Sequence, residues 1–243
     1  MSKLFVVGFG PGGAEHMTAA CRSAIDQSDI IVGYSKYIEL LRPLYQDKRT
    51  YDTPMMREEE RCRTALDIAA SGETVAVVCS GDAGVYGMAS LVLELSALYP
   101  LVEVVVVPGV TAALSGAAVL GAPLSHDFAV ISLSDLLTPW EQIEKRLDSA
   151  AAADFCIALY NPSSKKRSDY LAHACDILLR HKPKNTLCGL VTNIGRDGEH
   201  HELMTLEALR SAEVDMFTTV FIGNTETKEI MGRMVTPRGY RIG

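Results

Sequence analysis

Three short apolar runs in this chain each stop at a glycine-containing loop and restart as a helix, and few architectures accept that punctuation three times over. The runs are residues 4–8, Val75–Cys79 and Val102–Val107. They are rich in valine and lack polar alternation, the pattern of strands buried on both faces. Such strands belong to parallel sheets covered by helices. Helical patterns over 14–27, 57–70, 85–97 and 110–120, with a further strand at 29–33, complete the first α/β half. Turn chemistry over 121–127 reads as a linker. A second half follows, with strands expected at 128–133, 155–160, 186–192 and 218–223 and helices at 140–150 and 165–181. The expected fold is α/β with mostly parallel strands, divided into an N-terminal domain over 1–121 and a C-terminal domain over 122–243, with a cleft between them.

Composition narrows the partners. Lys plus Arg total 23 against 30 for Asp plus Glu, a formal charge of -7. That surface repels phosphate backbones and argues against nucleic acid. The apolar N-terminal run is too short for a signal-peptide core, and the stretch over 102–122 is broken by Pro108-Gly109, Gly116 and Gly121. Six cysteines stand apart without a C-x-x-C pair, most within apolar patterns, so reduced buried thiols are expected instead of disulfides or metal ligands. These features point to a cytoplasmic protein with no membrane partner.

The first loop, Gly8-Phe9-Gly10-Pro11-Gly12-Gly13, literally matches the dinucleotide fingerprint. Pro11 removes one amide donor from it, and the strand at 29–33 lacks the acidic residue that binds a ribose. A dinucleotide-binding oxidoreductase is therefore the weaker alternative. The second loop, Ser80-Gly81-Asp82-Ala83-Gly84-Val85-Tyr86-Gly87, lies where α/β folds bind ligands, and its glycines allow close approach to the backbone. Asp82 reads either as a ligand-side carboxylate or as a helix cap. The third, Pro108-Gly109-Val110-Thr111-Ala112, repeats the geometry with Thr111 as a possible cap. No loop carries the G-K-[ST] of a triphosphate site.

Together these loops resemble those of the tetrapyrrole methylase family, which uses S-adenosylmethionine to methylate uroporphyrinogen and corrin precursors. The resemblance extends through Arg57-Glu58-Glu59-Glu60-Arg61-Cys62, the run from Ser125 to Trp140, Leu159-Tyr160-Asn161-Pro162-Ser163-Ser164-Lys165-Lys166-Arg167, Val214-Asp215-Met216-Phe217-Thr218-Thr219 and Thr236-Pro237-Arg238-Gly239-Tyr240. One departure is Pro54-Met55-Met56-Arg57, where a glycine is usual in the place of Pro54 or Met55. The resemblance implies a two-domain homodimer with the cofactor in the interdomain cleft. It implies cofactor contacts from Pro11, Gly81, Asp82, Ala83, Tyr86, Thr111, Ala112, Tyr160, Asn161, Asn193 and Ile194. The implied reaction is methylation of C17 of precorrin-3B or cobalt-factor III with ring contraction, in cobalamin biosynthesis, releasing S-adenosylhomocysteine. A sister enzyme acting at another macrocycle carbon is the alternative within the family.

Methyl transfer from a sulfonium needs alignment and exclusion of water, and neither a metal nor a protein nucleophile. Ring contraction moves protons, for which His126, Asp127, Ser132 and Asp135 are the candidates, against a plain role in turn hydrogen bonds. A poly-carboxylate substrate calls for cations. Arg57 and Arg61 are spaced i, i+4 on one helical stripe, and Lys165-Lys166-Arg167 places three cations at an expected helix start, where they oppose the macrodipole. Both clusters also fit solvated faces. His200-His201 reads as surface, because adjacent residues of an extended segment point to opposite faces.

Overall fold

The computed structural model describes residues 2–163 and 169–241. The chain divides into two compact units, one ending at Ala112 and the other beginning at Ala113.

The first unit alternates strand and helix throughout: β1 (Ser2–Gly8), α1 (Ala19–Gln27), β2 (Ile30–Tyr34), α2 (Ser35–Leu41), β3 (Arg49–Thr53), α3 (Glu58–Ala70), β4 (Val75–Cys79), α4 (Ala89–Ser96) and β5 (Val102–Val107). The five strands form one parallel sheet in the order β3-β2-β4-β1-β5. The period-2 geometry of a strand sends alternate residues to opposite faces. Leu4 and Val6 join Val75 and Val77 in a core beneath α3 and α4, while Phe5 and Val7 join Ala76 and Val78 beneath α1 and α2. Both faces are therefore covered, as the valine-rich runs require.

The expected helix over 14–27 is two pieces. A single 3-10 turn spans Ala14–His16, and α1 starts only after Thr18, whose hydroxyl accepts the amide of Cys21 at 3.0 Å. That cap decides the boundary, because it satisfies an amide the helix cannot.

The second unit opens on α5 (Ala112–Leu120), counted here although its first residue belongs to the unit before. It continues through β6 (Gly121–Ala122), β7 (Phe128–Ser132), α6 (Trp140–Ala152), β8 (Cys156–Tyr160), α7 (Tyr170–Leu178), β9 (Leu187–Thr192), β10 (His200–Thr205), α8 (Leu206–Leu209), β11 (Thr218–Ile222), β12 (Lys228–Ile230) and β13 (Arg233–Val235). Its main sheet has the order β10-β9-β11-β8-β7, and only β7 and β8 run parallel. The expectation of mostly parallel strands fails here. Short connections such as the one from β9 to β10 favour antiparallel neighbours, since a parallel pair needs a long crossover. The three-stranded sheet β12-β13-β6 takes in part of the segment read as a linker.

Helix α5 packs on the main sheet of this second unit. A Cβ on Gly116 would lie 2.9 Å from the Phe221 ring, and one on Gly189 would lie 2.7 Å from Leu120. This packing assigns α5 to the second unit, nine residues or so ahead of the break expected from the turn residues over 121–127. Helices α6, α7 and α8 cover the opposite face through Ile143, Leu147, Leu171, Leu178 and Leu209. Buried Lys182 ties the chain before β8 to the end of β11 by donating to Asp154 at 3.1 Å and to the carbonyl of Gly223 at 3.0 Å. No helix among the described residues is long and apolar enough to cross a membrane.

Candidate active site

In the first unit, the three glycine loops meet at the C-terminal ends of β4, β1 and β5, which are neighbours in the sheet. Their contact is backbone against backbone. A Cβ on Gly8 would lie 2.8 Å from both the Gly81 carbonyl and the Gly109 amide nitrogen. A Cβ on Gly109 would sit 2.1 Å from the carbonyl of Gly81 and 2.4 Å from that of Gly8. Gly10 and Gly81, at φ +84° and +71°, exchange two hydrogen bonds, Gly10 N to Gly81 O at 3.0 Å and Gly81 N to Gly10 O at 2.8 Å. The glycines thus have a structural reason before any ligand is considered: side chains there would hold the loops apart.

Asp82 locks this platform. Its Oδ1 accepts the amides of Gly84 and Val85 at 2.8 and 3.2 Å, and its Oδ2 accepts the amide of Gly109 at 2.9 Å. It is neither a bare ligand carboxylate nor the cap of α4, which starts seven residues later. Ala83 is buried, and Pro11 is buried beside the loop crossing. Tyr86 stands 54% exposed with φ 55°, an unusual backbone state for an aromatic residue. The backbone of Thr111 and Ala112 passes within 3.7 Å of the position a Gly81 Cβ would take. Six of the expected cofactor residues therefore belong to one connected set of loops, and Pro11 borders it in sequence.

Thiol chemistry is disfavoured beneath the platform. Burial pushes the Cys79 thiol up to about 11 and that of Cys62 to about 12, so neither forms a ready nucleophile near neutral pH.

In the second unit, β7 and β8 end side by side, with Ser132 in register with Tyr160. The Tyr160 hydroxyl accepts the amide of Ala113 at 2.7 Å in the first turn of α5. Asn161, at φ 52°, donates from Nδ2 to Ser132 Oγ at 2.9 Å. Asp135 accepts a hydrogen bond from Tyr170 at 2.7 Å. Asn193 turns the chain at φ 54°, and buried Ile194 packs toward Gly116.

The four expected proton-moving residues do not form one group. His126 and Asp127 precede β7 and are exposed, whereas Ser132 ends it. Five residue steps along a strand separate Asp127 from Ser132 by roughly 16 Å. Ser132 and Asp135 share the strand end with Tyr160 and Asn161; His126 and Asp127 lie at the other end.

The arginine stripe also separates. Arg57 precedes α3 with non-helical backbone and pairs with Glu60 at 3.2 Å on an exposed surface. Arg61 is buried, donating to the Thr53 hydroxyl at 2.9 Å and to the carbonyl of Pro54 at 3.0 Å. It holds the end of β3 and does not face solvent beside Arg57. Lys165, Lys166 and Arg167 lie outside the described residues. In β10, His200 and His201 are successive and exposed, and so point to opposite faces of the strand.

The residue sequence reasoning missed here is Thr18. Thr18 both caps α1 and donates to the carbonyl of Pro108 at 3.5 Å, tying the first loop to the third. Its signal was present as a threonine three residues before Cys21, but an apolar and helix-favouring stretch ahead of it obscured the boundary.

The first unit is thus a parallel, doubly covered sheet whose glycine loops interlock at their strand ends, and a mixed-sheet unit follows it. Residues 3–210 match the family model for tetrapyrrole (corrin/porphyrin) methylases, and the chain belongs to that family. A probable cobalt-factor III C(17)-methyltransferase from Salmonella typhimurium is 47% identical over 98% of this chain and 100% of its own length. The chain spans only about half the length of some other curated relatives that it matches. The crystal structure of the methyltransferase CobJ superposes with a TM-score of 0.90 at 35% identity, covering 98% of this chain and 100% of that one. A uroporphyrin-III C-methyl transferase from Thermus thermophilus, solved with S-adenyl homocysteine, shares the fold at a TM-score of 0.73 and 20% identity, over 91% of this chain and 97% of that one.

Proposed function

We propose that this chain transfers a methyl group from S-adenosylmethionine to C17 of a corrin precursor, cobalt-factor III or precorrin-3B, with contraction of the ring. The observation that carries this reading is the end-to-end similarity to a relative named for C17 methylation of cobalt-factor III. The interlocked loops supply the physical support. They offer a rigid backbone surface at the strand ends of an α/β sheet, where a small ligand can approach closely. Gly81, Asp82, Ala83, Tyr86, Thr111 and Ala112 are the proposed cofactor contacts on that platform, with Pro11 beside it. Tyr160, Asn161, Asn193 and Ile194 are those proposed from the second unit.

The protein's own task is alignment and dryness. Asp82 fixes the loops so that a bound cofactor meets a preorganised surface, which lowers the entropic cost of reaching the transition state. Ser132 and Asn161, hydrogen-bonded to one another, place two polar groups at the strand end where the macrocycle is proposed to lie. Of the cations expected to bind substrate, Arg57 is the one that the described residues place on an exposed face, where it could meet a substrate carboxylate at the expense of its pairing with Glu60. The experiment is incubation with labelled S-adenosylmethionine and each precursor, with the product's methyl position read by NMR.

Pairing of two copies is part of the same proposal. Strand β5 is an edge strand of sequence Val-Glu-Val-Val-Val-Val, flanked by exposed Leu98 and Leu101. An unpaired apolar edge beside exposed leucines suits a second copy. Sedimentation at micromolar concentration should give twice the chain mass; a monomer there would remove this part.

A further inference from the structure

Strands β7, β8 and β9 run the same way, because β11 is antiparallel to both β8 and β9 while β7 is parallel to β8. Their C-terminal ends lie along one end of the second unit's sheet, and β11 enters from that end. Ser132 and Asn161 stand there. So do residues 195–199, after β9, and residues 215–217, before β11. The second of these segments belongs to a run that resembles the tetrapyrrole methylases, yet burial does not explain it. Met216 and Phe217 stand 44% and 43% exposed.

Hydrogen bonds fix both segments. The amide of Asn193 donates to the carbonyl of Phe217 at 3.2 Å, and that of Arg196 to the carbonyl of Asn193 at 2.9 Å. Asp215 Oδ1 accepts the amide of Phe217 and the hydroxyl of Thr218, each at 2.9 Å. Glu199 accepts the amide of Gly195 at 2.7 Å. These two carboxylates are turned onto the chain, while the guanidinium of half-buried Arg196 lies over the Phe217 ring, 5.8 Å from its centre. The ring quadrupole restrains a cation placed this way, and its planar fork matches a carboxylate.

Three strand spacings, roughly 14 Å, separate β9 from β7 across this end. A ligand spanning that row must be broad, apolar on its face and anionic at its rim. A tetrapyrrole with peripheral carboxylates is all three. We propose that Arg196 binds a rim carboxylate of the macrocycle, with Met216 and the open part of Phe217 against the macrocycle's apolar face. This rests on the methyl-transfer reading above and makes Arg196 a substrate-binding residue, not a catalytic one. All these groups belong to the second unit, at the strand end that carries Ser132 and Asn161.

The test is a charge series at position 196: wild type, Arg196→Lys, Arg196→Gln and Arg196→Glu, each checked for folding by its melting curve. Cobalt-factor III and precorrin-3B are titrated separately, and binding is read by quenching of Trp140, the chain's one tryptophan, which opens α6 beyond β7. Calorimetry gives the affinity for S-adenosylhomocysteine. Macrocycle affinity should follow the charge, in the order Arg, Lys, Gln, Glu. The loss at Gln should be about 10- to 100-fold, the usual worth of a hydrogen bond to a charged group. Salt should weaken wild-type binding more steeply than that of Arg196→Gln. S-adenosylhomocysteine affinity should stay within about threefold of wild type. Phe217→Leu, which leaves the charge in place, should cost the macrocycle about 3- to 10-fold. Macrocycle affinity within about twofold of wild type in Arg196→Gln overturns the proposal. A loss that ignores the sign of the charge, or that falls equally on S-adenosylhomocysteine, also overturns it. Wild-type affinity in Phe217→Leu removes the part given to the ring. If the wild type binds neither macrocycle, the functional reading fails first and this assignment falls with it.

Discussion

Gly109→Ala is expected to be the most damaging single-methyl change in the chain. The added carbon would overlap the carbonyls of Gly81 and Gly8, at 2.1 and 2.4 Å, and neither is a flexible side-chain end that can swing away. The loops must part, and parting breaks the Gly109–Asp82 hydrogen bond and strains the Gly10–Gly81 bridge. Overpacking of this kind costs about 1–3 kcal/mol, and each lost backbone hydrogen bond adds about 1 kcal/mol. A total of about 2–4 kcal/mol corresponds to a fall in melting temperature of roughly 4–16 °C for a chain of this size. Binding of S-adenosylhomocysteine, measured by calorimetry, should drop by more than about 100-fold, because the surface it needs no longer assembles. Wild-type melting and affinity in this variant would mean that the three loops do not depend on one another.

The second large effect belongs to Asp82, and here the structure changes what the substitution tests. Its carboxylate accepts three backbone amides from two loops. Asp82→Ala leaves the partly buried Gly109 amide without its acceptor, at a cost of about 1–3 kcal/mol, and frees the 80–87 loop. We expect stability to fall by about 2–4 kcal/mol, including the Gly84 and Val85 bonds. S-adenosylhomocysteine affinity should fall by about 10- to 100-fold in consequence. Asp82→Asn discriminates the cause. An amide keeps one acceptor but must turn its NH₂ toward one of the loop amides, donor against donor. If Asp82 acts as a loop clamp, Asn is nearly as harmful as Ala to stability. A variant that loses affinity while melting like the wild type would instead place the carboxylate's role on the ligand.

Much of this was legible because burial on both faces leaves a strong sequence signal. The runs at β1 and β4 could hardly be anything but central parallel strands, the run at β5 pairs in parallel at the sheet's edge, and the glycine loops marked all three strand ends. Strand β3 was not legible. Its sequence, Arg-Thr-Tyr-Asp-Thr, belongs to an edge that is mostly exposed and carries no apolar pattern. Strands β10 and β12 were missed for the same reason, since edge position and hairpin pairing substitute for burial, and β13, between β12 and β6, is only three residues long. Antiparallel pairing in the second unit could not be read from apolar runs, which look alike whichever way a neighbour points.

The site residues divide along a similar line. The three glycine loops come together at neighbouring strand ends as expected, because glycine itself signals that backbone geometry. Arg61 was misplaced because its partners, Thr53 and Pro54, come from the end of a strand that the sequence did not reveal. Spacing of i, i+4 also assumed that Arg57 is helical, and it is not. The run from His126 to Asp135 looked like one cluster only because a strand folded out flat is short in sequence and long in space.

The measurement that bears most directly on the central claim is a single-turnover incubation of the protein with cobalt-factor III, or with precorrin-3B, and methyl-labelled S-adenosylmethionine, followed by mass spectrometry and NMR of the macrocycle. The account predicts one added methyl group, located at C17 of a ring-contracted product. A label at another carbon would assign the chain to a different methylation within its family. No label on either macrocycle, from protein that is folded and binds S-adenosylhomocysteine, would contradict the proposed reaction outright.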